Sequence, residues 1–195
     1  MITKIAGKVM DALCAASVVN EDDRELYSYG FFVLLSSMFF FIVTSIFGAI
    51  FNVLWESVLF FVMFTLIRSY AGGVHASKEI TCSIYTSLSM LVCVALIQLQ
   101  KHFELFVVPL IVIFVSYIVI VVLCPLDTDE KPLDDSERKK YKKISCILAS
   151  VILVGGLCTM LIGVMRIFYL CTVCLGLESI LLMLGKLKGK SKQQS

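Results

Sequence analysis

Long apolar runs separated by short polar breaks dominate this chain, and several of them are long enough to cross a lipid bilayer. A helix needs about 20 apolar residues to span the hydrocarbon core. Residues 28–67 are read as two spans, near 29–48 and 51–67, because one tilted helix cannot absorb about forty residues. Gly48 and Asn52 mark the tight turn between them. Further spans are expected near 80–98, 105–123, 144–163 and 167–185, with a charged cytoplasmic loop at 124–143. The composition agrees: 59% of residues are hydrophobic and mean hydropathy is +0.94, against roughly 45–50% apolar residues in soluble domains. The expected fold is therefore all-α: a single polytopic membrane domain of about six transmembrane helices.

An interfacial helix is expected to precede the spans. Lys4, Lys8 and Asp11 interrupt any signal-peptide-like apolar core in residues 1–19. At about 100° per residue, Ile2, Ile5, Ala6, Val9, Met10 and Leu13 fall on one face and the charges on the other. That pattern suits a helix lying in the membrane surface. Orientation follows from the cations. Six spans place fifteen of the 17 Lys and Arg on one side and leave only Lys101 and Arg166 on the other. Positive loops face the cytoplasm, so both termini and the loop at residues 68–79 are expected there.

Several function classes are disfavoured. A net charge of +2 offers no basic surface for nucleic acid. Most of the eight cysteines lie within apolar runs, unlike a secreted disulfide framework. His75 and His102 are the only imidazoles, too few for a His-rich metal site. Cys171-Thr-Val-Cys174 has CxxC spacing but sits in a membrane run without a second pair, so it reads as packing. No cofactor or metal is expected.

The chemistry-bearing segment is Arg68-Ser-Tyr-Ala-Gly-Gly-Val-His-Ala-Ser-Lys-Glu-Ile-Thr-Cys82, where a polar loop enters a span. A base beside a thiol can generate a thiolate, and a thiolate can attack a carbonyl. Cytoplasmic placement keeps the thiol reduced. If the third span starts near Ser77, Cys82 lies in its first turns, where the helix dipole and Lys78 favour a thiolate and burial in lipid opposes it. On a continuous helix, His75 and Cys82 would share a face but stand about 10 Å apart along the axis. His75 would also lean away from the thiol. A break between them is therefore expected, with Gly72-Gly73 supplying the backbone freedom for a loop that folds back.

Arg68-x-x-Ala71-Gly72-Gly73-x-His75-Ala76, followed by Cys82, resembles the signature of the accessory gene regulator protein B family. These are integral membrane cysteine endopeptidases of Gram-positive quorum sensing. Chain length, the amphipathic start, the multi-span layout and the loop Pro125-Leu-Asp-Thr-Asp-Glu-Lys-Pro132 are similar too. The resemblance implies Cys82 as nucleophile, His75 as general base, and Arg68 and Gly73 as further required positions. It implies a small membrane-associated propeptide, cut on its C-terminal side through an acyl-enzyme and closed to a thiolactone or lactone, and a homodimeric assembly. Arg138, Lys139 and Lys140 lie in a basic run that would suit the acidic tail expected on such propeptides, or anionic lipid.

Two rival classes have their own markers. Asp127-Thr-Asp129 spells the DxD of a membrane transferase holding Mg²⁺ for a diphosphate, without a second acidic motif. A small transporter would need polar groups converging at mid-membrane, and Glu178 is the acid that stands out there. Glu178 could face the cytoplasmic cavity near the site, face a partner subunit, or simply be protonated. Glu79 could orient His75 or simply be a solvated charge.

Overall fold

The structure is a computed structural model that describes residues 24–72, 79–99, 107–126 and 134–193, together with residues 7, 9, 11, 13 and 14 near the start. It is all helical. The elements are α1 (Arg24–Ile50), α2 (Leu54–Ala71), α3 (Glu79–Leu99), α4 (Val107–Leu123), α5 (Asp135–Leu161) and α6 (Met165–Gln193). Residues 1–43 and 44–195 form two separate compact units. In the first, the described residues 7, 9, 11, 13 and 14 are helical, and Arg24 pairs with Asp11.

Among the described residues, four helical stretches are long and apolar enough to cross a membrane: Gly30–Ile50, Leu54–Ala71, Asp135–Leu161 and Met165–Leu187. Ser87–Leu99 and Val107–Leu123 are shorter apolar helices. The six described helices overlap the residues of the expected spans.

In the second unit α6 is the central element and packs against α2, α3, α4 and α5. Of its apolar window, 61% is buried against protein, compared with 33% for α2 and 28% for α5. Residues from Phe168 to Leu175 are buried without interruption. A helix apolar all round belongs inside a bundle. Lipid-embedded helices gain little from hiding apolar surface from lipid, so close packing and hydrogen bonds hold them. Both are present. A side chain on Gly156 of α5 would stand 2.9 Å from Cys171 Cβ and 3.3 Å from Ile113 Cδ1, so three helices meet at that glycine. Ser179 of α6 donates to Ser116 of α4 at 3.3 Å, and Tyr117 of α4 hydrogen-bonds Ser150 of α5 at 3.1 Å. Cys171 and Cys174 lie in this core as free thiols.

The turn expected at Gly48–Asn52 is present. Asn52 adopts φ 53°, and Val53 N–H reaches back to the Gly48 carbonyl at 2.7 Å. Ser57 donates to the Val53 carbonyl at 2.8 Å, and a Cβ on Gly48 would lie 2.5 Å from its Oγ. Only hydrogen fits at Gly48.

One boundary differs from the sequence reading. Residues 135–143 were expected as part of a solvated loop, yet they form the first turns of α5. The cause is local. Asp134 accepts from the first backbone N–H groups of the helix while Glu137 reaches back to the Asp134 N–H, a reciprocal capping box. The charged helix start then runs without interruption into the apolar span. Asp134→Ala should cost about 1 kcal/mol through loss of the cap, seen as a small drop in thermal midpoint in detergent; an unchanged midpoint would show that the cap is dispensable.

Candidate functional site

The described part of the site lies where α2 ends. Gly72 closes the helix with φ 78° and ψ −154°, and its N–H bonds the Arg68 carbonyl at 3.3 Å. That backbone conformation is essentially restricted to glycine. Space imposes the same choice, since a Cβ at Gly72 would sit 2.3 Å from the Leu126 carbonyl oxygen. Leu126 N–H donates to the Ala71 carbonyl at 2.9 Å, and Gly72 and Leu126 form an isolated parallel bridge. The loop leaving α2 is thus stitched to the loop leaving α4. Gly72→Ala should destabilise the protein by about 1–3 kcal/mol; a thermal midpoint equal to wild type in detergent would contradict this geometry.

Arg68 sits one turn before that break. Its Nη1 donates to the Gly72 carbonyl at 2.7 Å and lies 3.7 Å from Glu178 Oε1. Glu178 is fully buried, and the Arg68 side chain is 21% exposed. At the opposite end of α2, Glu56 pairs with Arg166 at 3.6 Å. The two pairs are reciprocal: Glu56 and Arg68 are twelve residues apart on α2, and so are Arg166 and Glu178 on α6. Twelve residues are about 18 Å of helix. The helices therefore run parallel, in register, with a charge clasp at each end.

Tyr70 meets Tyr141 of α5 edge to face, with ring centroids 5.7 Å apart. This contact brings the basic start of α5 to the Arg68 end of α2. Arg138, Lys139 and Lys140 are exposed there. The described structure therefore gathers Arg68, Gly72, Leu126 and the approach to the basic turn at one end of the bundle.

Cys82 is the fourth residue of α3, which is described from Glu79, so its backbone lies in the first turns as described. The side chains of residues 79–86, Cys82 and Glu79 included, lie outside the described residues. So do residues 73–78, with Gly73, His75, Ser77 and Lys78, and the loop holding Asp127 and Asp129. A helix unbroken from Tyr70 to Met90 is absent, because Gly72 ends α2. Another thiol, Cys124, lies beside the Gly72–Leu126 bridge. Burial, with Cys146 next to it, pushes the Cys124 thiol up to about 12, so it stays protonated at neutral pH and is a poor nucleophile.

Three features here escaped the sequence reading: the Leu126 bridge, the Tyr70–Tyr141 contact and the partner of Glu178. The last had a signal in the matched twelve-residue spacing of opposite charges on two spans.

The profile described as Accessory gene regulator B matches residues 2–184. The chain belongs to the accessory gene regulator B family. The AgrB-like protein 2 of Clostridium perfringens strain 13 is 26% identical over 149 residues, covering 73% of this chain and 69% of the relative. An AgrB-like protein of C. perfringens strain SM101 is 25% identical over 149 residues, with the same coverage. No solved structure matches the chain. Family membership and the apolar helices place it as a multi-pass membrane protein of quorum-sensing peptide processing.

Proposed function

We propose that this chain is a membrane cysteine endopeptidase that cuts a small quorum-sensing propeptide on its C-terminal side and promotes closure of the released part into a thiolactone or lactone. The observation that carries the reading is the placement of the family signature. Arg68 to Cys82 joins the end of α2, fixed by Gly72, to the start of α3. A helix start favours an anion.

The steps balance without a cofactor. His75 takes the Cys82 proton, and the thiolate attacks the scissile carbonyl. The peptide bond breaks, the leaving amine takes the proton from His75, and the N-terminal fragment remains on Cys82 as a thioester. An internal thiol or hydroxyl of that fragment then attacks the same carbonyl and closes the ring, and Cys82 leaves with a proton. Exchange of one thioester for another is nearly balanced, whereas making the first thioester from an amide is uphill. Removal of the C-terminal fragment is one way to draw that step forward. Tethering enzyme and propeptide in one bilayer raises the effective concentration of the internal nucleophile. A site at the lipid boundary limits competing hydrolysis.

Six spans, cytoplasmic termini and a cytoplasmic site complete the reading, with a homodimer as the assembly the resemblance implies. The exposed Arg138, Lys139 and Lys140 would receive an acidic propeptide tail.

The test uses purified protein in lipid with the small peptide encoded beside its gene, followed by mass. Wild type should release a fragment one water lighter than the linear acid, while Cys82→Ala and His75→Ala release none. Cleavage that survives Cys82→Ala would return attention to Asp127 and Asp129.

A further inference from the structure

We propose that Glu178 is a positioning residue for the cleavage chemistry: from within α6 it holds the Arg68 guanidinium on the Gly72 carbonyl, and so sets the direction in which the chain leaves α2 toward Cys82. This rests on the endopeptidase reading above.

Glu178 is fully buried in a membrane span, and neither carboxylate oxygen has a hydrogen-bond partner among the described residues. A buried carboxylate is expensive unless a cation offsets it, and acids within spans usually carry function. The cation beside it is Arg68, at 3.7 Å. Packing alone does not require an acid at this position, since the neighbouring core is filled by Leu175, Ser179 and Leu182.

Arg68 Nη1 faces Glu178 Oε1 at 3.7 Å and the Gly72 carbonyl at 2.7 Å. A guanidinium is a rigid planar fork, so orienting it toward one acceptor constrains its approach to the other. A lysine ammonium is a point charge on a flexible stem and would not transmit that constraint. Gly72 is the last residue before the segment that carries His75, and its position is fixed a second time by Leu126.

Glu56–Arg166 already sets the register of α2 on α6 from the far end. Apolar packing joins the two helices as well, with Phe60, Phe64 and Ile67 in the same buried cluster as Phe168, Leu175 and Leu182. A structural tie alone does not need a second, fully buried charge.

The test compares wild type, Cys82→Ala, Glu178→Gln, Glu178→Asp, Arg68→Lys and the Arg68→Lys/Glu178→Gln double variant. Each is purified in lipid, and kcat and KM are measured for cleavage of the peptide encoded beside the gene, alongside thermal midpoints. Glu178→Gln should lower kcat roughly 10- to 100-fold with little change in KM, and the double variant should be no worse than the more impaired single variant, the mark of two residues acting as one unit. Glu178→Asp, which keeps the charge, should recover part of the loss. Wild-type kcat in Glu178→Gln, multiplicative losses in the double variant, or losses that merely follow the thermal midpoints would overturn the inference while leaving the endopeptidase reading intact. Cleavage by Cys82→Ala, or none by wild type, would instead overturn the reading on which the inference stands.

Discussion

Replacing Cys82 with alanine should reduce propeptide cleavage by roughly 10³-fold or more, the scale seen when a covalent nucleophile is removed. Several other described thiols are poorly suited to substitute. Cys124 is held protonated by burial. Cys93, Cys171 and Cys174 are buried in the core, and Cys158 lies on an exposed face of α5. Cys158→Ala should therefore leave cleavage unchanged. Cys82→Ser tests the chemistry more finely, because a hydroxyl stays largely protonated near neutral pH and cannot form a thioester. It should retain the fold and lose the activity. A Cys82→Ala protein that cleaves at the wild-type rate, measured by peptide mass over time, would exclude the acyl-enzyme route.

Arg68→Ala should be among the most destabilising single substitutions in the bundle. It removes the cation facing a fully buried Glu178 and the donor to Gly72 at once. Breaking a buried pair by deleting one partner costs about 3–5 kcal/mol, because the remaining charge is left uncompensated. The companion experiment separates stability from function. Replacing both partners with apolar residues, Arg68→Met with Glu178→Leu, should recover most of the thermal midpoint, since a buried pair replaced by hydrophobic groups is often neutral or stabilising. Cleavage should stay lost, because the Gly72 carbonyl has then lost its Arg68 donor. Recovery of cleavage together with the thermal midpoint would show that the pair is only a tie between helices.

The helices were legible because membrane physics leaves few options: an apolar run of spanning length must satisfy its own backbone. The Gly48–Asn52 turn was legible for a related reason, since the run is too long for one helix and those residues tolerate a tight turn. The helical start of α5 was readable in principle. Asp134 and Glu137 are spaced as a capping box, but the density of charge around them suggested a solvated loop. Helices continue past the membrane surface when a cap and acidic first-turn residues support them, so hydropathy alone sets the start too late.

The site divides differently. Gly72 was legible as a point of backbone freedom, although its second constraint, the Leu126 carbonyl, comes from a loop distant in sequence. Glu178 was conspicuous as an acid in a span, but its partner depends on which helices are neighbours. Only the parallel register of α2 and α6 brings Arg68 to it. His75 and Cys82 were identified by chemical type and by the family signature, and their roles rest on those two grounds.

The most direct measurement of the central claim is the intact mass of the protein during turnover. The lipid-embedded protein is mixed with the candidate propeptide, quenched in acid within the first turnover, and weighed with and without hydroxylamine. The expected result is a hydroxylamine-labile adduct of the N-terminal fragment, joined with loss of the C-terminal peptide, that maps to Cys82 and is absent in Cys82→Ala. Cleavage proceeding at full rate with no such adduct, or an adduct that persists in Cys82→Ala, would contradict it.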